Sequence, residues 1–87
     1  MSEQELPTLD FATFIQSLAH AALMHLGDAP HPDGDVVERN LPLAKQTIDL
    51  IGTLEEKTRG NLQGEEERLI EHVLTDLRMR YVELTRK

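Results

Sequence analysis

Leu54-Glu55-Glu56-Lys57-Thr58-Arg59-Gly60-Asn61-Leu62 lies where two long amphipathic stretches meet, and its reading decides the fold. Gly60 enters the left-handed region without a Cβ clash, and Leu62 can fold back onto the last turn before it, so the stretch reads as a helix stop. Lys57, Thr58 and Asn61 are expected to add side-chain bonds that hold the turn. Lys57-Thr58-Arg59-Gly60 has a faint likeness to a phosphate loop, but that motif places glycines before the lysine and follows a strand. Here Lys57 closes a helix.

Upstream of the turn, the pattern predicts a helix from about Leu41 to Arg59, with Asn40 as N-cap and Pro42 in the first turn, where its missing N–H costs nothing. Leu43, Ala44, Thr47, Ile48, Leu50, Ile51 and Leu54 spread over about 160° of it, which is wide for a helix with one neighbour. Asp49, Thr53, Glu56 and Lys57 mark its wet side. Downstream, a third helix starts near Glu65 and runs to about residue 85. Glu65, Glu66 and Glu67 sit at its positive pole. Leu69, Ile70, Val73, Leu74, Leu77, Tyr81 and Leu84 form one dense stripe, while Met79 and Val82 fall on the opposite face. A connection this short places two helices side by side and antiparallel.

Toward the N-terminus, a first helix is expected from about Phe11 to Leu26, with Asp10 or Thr8 as N-cap and Gly27 as the left-handed stop. Phe11, Ile15, Leu18, Ala19, Ala22 and Leu26 share a face, with Phe14 at its edge; Thr13, Gln16, Ser17 and His20 lie opposite. Leu23 and Met24 flank the polar side and are not explained by one buried stripe. Residues 27–40 connect the first two helices, because the prolines, glycine and aspartates of 28–39 exclude a regular element there. Val36 and Val37 are expected to anchor the far end of this loop. Residues 1–9 read as a frayed tail, with neither a basic region nor an apolar one of the kind a signal peptide carries. No stretch alternates with period two, so the expected fold is all-α: one domain over 10–87, helix 1 packed across the helix 2–helix 3 hairpin, and no β-sheet.

Composition narrows the function. Eighty-seven residues make one small domain, which buries only about 60–65% of its unfolded surface. With no Trp, one Tyr and two Phe, aliphatic side chains supply nearly all of the burial. The absence of cysteine excludes disulfides and thiolate metal sites and fits a reducing, cytoplasmic setting. Sixteen acidic residues against nine basic ones argue against nucleic acid as a partner. The charge is uneven. Between Asp76 and Lys87, Arg78, Arg80, Arg86 and Lys87 outnumber Asp76 and Glu83. That basic end reads first as a complement to the negative pole of the last helix, and second as a patch for an acidic partner. No segment approaches the about 18 consecutive apolar residues of a membrane span.

Catalytic, cofactor and metal sites are not expected. His20 and His25 are five apart and diverge on a helix, and neither Glu-x-x-His nor His-x-x-x-His occurs with His31 or His72 either. His25 projects near the apolar face of the first helix and reads as a half-buried, hydrogen-bonded side chain. Asp28, Asp33, Gly34 and Asp35 lack the alternating ligands and closing Glu of a calcium loop. Ser17 and His20 share a polar face, but no third member completes a nucleophilic site.

One resemblance appears on particular residues. The chain resembles DUF1844, a family of small bacterial proteins classed as a domain of unknown function. Phe11-Ala12-Thr13-Phe14-Ile15-Gln16-Ser17-Leu18-Ala19, Leu26-Gly27, Ala44-Lys45 and Ile48-Asp49-Leu50 carry the likeness first. Leu54 to Leu62 carries it most strongly, followed by Glu66, Asp76-Leu77-Arg78-Met79 and Tyr81. The resemblance covers about residues 11–83. It implies a small helical bacterial protein and brings no activity, cofactor or catalytic residue. Where the family tends to place Thr or Ser before the third helix, this chain has Gln63 and Gly64, which implies a weaker cap here.

The apolar inventory exceeds what one thin core can hide. Leu23, Met24, Met79 and Val82 lie off the main stripes, and Leu50 belongs to the wide arc of helix 2. These five residues are the expected interface of a homodimer or larger assembly acting as an interaction module, with itself and an unidentified protein as partners. The alternative is a peripheral membrane or lipid contact through helix 1, weakened by a polar face without Lys or Arg. A small enzyme comes third.

Overall fold

In the computed structural model, which describes residues 10–30, 34 and 38–86, the chain forms α1 (Phe11–Leu26), α2 (Leu41–Lys57) and α3 (Gly64–Thr85), with no strand among the described residues. The expectations for residues 1–9, for Thr8 as a cap, and for His31, Asp33, Asp35, Val36, Val37 and Lys87 lie outside those residues.

Local chemistry sets each boundary. The Asp10 carboxylate accepts the Thr13 N–H at 2.8 Å, which starts α1. Gly27, at φ 83°, stops it: its N–H reaches the Met24 carbonyl at 3.0 Å and the Asp28 N–H reaches that of Leu23 at 2.8 Å, the paired bonds of a Schellman motif. Asn40 caps α2 by accepting the Leu43 N–H at 3.1 Å. α2 ends at Lys57 rather than Arg59. The Thr58 hydroxyl donates to the Leu54 carbonyl at 2.7 Å, and the chain tightens into a turn closed by Asn61 N–H to Thr58 C=O at 2.8 Å. Gly60 then takes φ 85°. Among the described residues the side-chain bonding of this turn falls to Thr58, not to Lys57 or Asn61. α3 begins at Gly64, one residue before the expected start. Glu66, its third residue, reaches back to accept the Gln63 backbone N–H at 2.9 Å, the half of a capping box that needs no Ser or Thr at the cap.

Each helix packs on both others, and α1 with α2 is the most extensive pairing. Lys45 and Asp49 of α2 share a groove with Tyr81 and Val82 of α3, while Glu55 and Arg59 lie by Glu67 and Glu71, so α2 and α3 run antiparallel. The core takes three side chains from each helix: Ile15, Ala22 and Leu26; Ala44, Ile48 and Ile51; Ile70, Leu74 and Leu77. No polar or charged side chain is buried among the described residues. Leu23, which one stripe on α1 does not explain, is half-buried and packs against this core. α1 touches two helices rather than one, which widens its buried face beyond a single stripe.

Candidate functional site

The functional possibilities are set by which charges pair and which apolar side chains stay out. At the C-terminal end of α1 the three helices are tied by two arginines. Arg39 Nε donates to the Leu26 carbonyl at 2.8 Å, and the Asn40 N–H donates to the His25 carbonyl at 2.7 Å, so the start of α2 caps the negative pole of α1. Arg80 of α3 forks onto Asp28, Nε to Oδ2 at 2.8 Å and Nη2 to Oδ1 at 3.0 Å. The Arg80 hydrogen bonds hold the Asp28 carboxyl below the ordinary carboxylate range, with its charge and that of Arg39 adding to the effect, and Asp28 and Glu83 push the guanidinium further toward its charged form. Arg80 therefore ties α3 to the end of α1. The sequence placed it only in a basic C-terminal cluster, because nothing local marks a pair fifty-two residues apart.

The polar residues weighed as chemistry are dispersed. Ser17 donates its hydroxyl to the Thr13 carbonyl of its own helix at 3.0 Å, and both Ser17 and His20 are exposed. His72 is exposed and faces Asp76 at 3.1 Å, one turn along α3. His25 is half-buried. Among the described residues no three His, Asp or Glu side chains converge as a metal would need.

What remains is apolar surface. Of the five interface candidates, Leu50, Met79 and Val82 are exposed, Met24 is half-buried, and Leu23 belongs to the packing of the single chain. Leu43 and Phe14 are also exposed. The wide apolar arc expected on helix 2 includes Leu43 and Leu50, yet both are exposed; only Ala44, Ile48 and Ile51 of that arc are buried.

The exposed apolar residues differ in their surroundings. On α2, Leu43 and Leu50 are seven residues apart and lie on one flank with Gln46, Thr47 and Leu54, and Lys57 follows at the same spacing at the end of the helix. Its neighbour α1 carries no Asp, Glu, Lys or Arg anywhere along its length and exposes Phe14. On α3, Met79 (59% exposed) and Val82 (48%) lie with Arg78, Glu83 and Arg86 on the open face turned away from the core. Along its edge, Arg78 and Val82 also line a shallow groove with Lys45 and Asp49 of α2. A Cβ on Gly52 would sit 2.9 Å from the Arg78 guanidinium, so the tip of Arg78 lies against α2 at Gly52 and would have to shift to admit a side chain there.

The model of a family described as a domain of unknown function, DUF1844, matches residues 8–83. No curated protein and no solved structure matches the chain.

Proposed function

The chain belongs to the DUF1844 family of domains of unknown function, and we propose that it is a small homo-oligomeric interaction module that works by contact and carries no catalysis. The observation that carries this reading is the apolar flank of α2, where Leu43 and Leu50 stand 41% and 48% exposed. Covering an apolar side chain contributes about 1.5–3 kcal/mol in full, so each half-exposed leucine has about 1 kcal/mol still to gain. The four leucines of a two-fold pair amount to about 4 kcal/mol, which by itself matches only millimolar affinity. A stable dimer needs about 800 Å² from each partner. The charge-free side of α1, packed beside α2, extends the surface without desolvating ions.

A two-fold contact suits this flank, because identical surfaces meet and the one charge at this spacing, Lys57, stands at the end of the helix rather than between the leucines. The α3 groove is less suited, since pairing it with itself would set Arg78 and Arg86 against their copies. Membrane contact through α1 gains no support: Ile15, Ala22 and Leu26 of its apolar face are fully buried in the core. Among the described residues no helix is long and apolar enough to cross a membrane. The cytoplasmic placement belongs to the same proposal and rests on a cysteine-free, acidic composition. Sedimentation equilibrium or light scattering over a concentration series tests the reading. A defined dimer or larger assembly at micromolar protein is expected, and a monomer throughout would overturn it.

A further inference from the structure

We propose that the exposed face of the last turns of α3, with the groove along its α2 edge, receives an acidic amphipathic helix from a different protein. Met79 and Val82 supply its apolar contacts, and Arg78 and Arg86 flank them. Neither arginine has an ion-pair partner among the described residues. The one carboxylate on that face, Glu83, already faces Arg80 at 3.2 Å, and Asp49 in the neighbouring groove is paired with Lys45. The surface is therefore basic on a chain of net charge −7, and it calls for negative charge from outside. Charge also separates the possible occupants. A symmetric second copy would bring guanidinium onto guanidinium, whereas an acidic helix answers both arginines. From Arg78 to Arg86 the exposed face runs about 12 Å along the helix, or two turns. That length fits anchors at i, i+3 or i+4, and i+7 of a bound helix, with glutamates on either side. The exposed area of two side chains is small, so binding is expected to be weak and salt-dependent. The inference does not depend on self-association, which the α2 flank carries.

The test is an amide-shift titration of the full chain with a synthetic helical peptide bearing leucines at i, i+3 and i+7 flanked by glutamates, beside a lysine-flanked counterpart. The acidic peptide is expected to shift residues 78–86 and 45–49, and the lysine peptide to leave them unmoved. Arg78→Glu, with its fold checked by circular dichroism, is expected to weaken binding about fivefold to tenfold. Val82→Asn, at an exposed position, should also weaken it, while Leu50→Glu should not. The proposal is overturned if the acidic peptide shifts nothing, if both peptides bind alike, or if the shifts fall on the Leu43–Leu50 flank. It is equally overturned if the groove resonances move with protein concentration alone, which would make a second copy the occupant. Preferential binding of phosphatidylserine vesicles would also overturn it.

Discussion

Arg80 and Asp28 meet fork to fork, with Nε to Oδ2 at 2.8 Å and Nη2 to Oδ1 at 3.0 Å, and so fasten the middle of α3's last turns to the residue just beyond the α1 cap. Because the guanidinium presents two parallel donors, a lysine at this position keeps the charge but loses the geometry. Arg80→Lys is expected to lower the melting temperature, and Arg80→Met to lower it further. Combining Arg80→Met with Asp28→Asn should cost less than the sum of the two singles, because both remove one contact. Additive losses would show that the pair is not coupled.

The same contact gives a pH signature. Asp28 titrates below its ordinary value of 3.8 because Arg80 favours the carboxylate. A group whose folded pKa is depressed stabilises the fold above the unfolded pKa, and that contribution disappears as pH falls through the lower folded value. The stability advantage of the native chain over Asp28→Asn should therefore be full above about pH 5 and shrink progressively below about pH 4. Thermal melts of both proteins across that range check it, and a constant difference would refute the assignment.

Gly27 and Gly60 share a left-handed backbone, φ 83° and 85°, but not their surroundings. A Cβ at Gly27 would meet Arg39 Nε at 3.3 Å and its Cβ at 3.4 Å, whereas one at Gly60 would meet nothing within 4 Å. Gly60→Ala should cost about 1–2 kcal/mol from backbone strain alone. Gly27→Ala should cost more, since it also crowds the arginine that caps α1. Urea unfolding of the two variants decides the order.

The core is thin enough for one cavity to matter. Leu74 is 2% exposed at the centre of α3. Leu74→Ala should cost about 2–5 kcal/mol, a large part of the stability of any small domain. Val82→Ser, two turns away on the exposed face, should change stability by about 0.5 kcal/mol or less. Equal losses in denaturant titrations would mean that Val82 is covered in solution.

If self-association runs through the α2 flank, Leu43→Glu and Leu50→Glu place like charges across the two-fold axis. Each should shift the sedimentation profile toward monomer and make the melting temperature less dependent on protein concentration. Met79→Glu should leave the assembly intact. The reverse pattern would move the interface to α3.

The number of helices, both caps of α1, the N-cap of α2 and the position of the turn after it were legible in the sequence, because each is written in side chains close along the chain: Asp10 beside Thr13, Gly27 after Leu26, Asn40 before Leu43, Gly60 after Thr58. The stripes of α1 and α3 named Ile15, Ala22, Leu26, Ile70, Leu74 and Leu77 as core for the same reason. Tertiary structure alone decided that Leu23 belongs inside and Leu43 outside, since periodicity gives the direction of a side chain but not how many neighbours stand there. It alone paired Arg80 with Asp28 and left the face of α3 that carries Met79 and Val82 uncovered by the other helices. A charge chooses its partner by distance in space, and a chain of letters records only distance along the backbone.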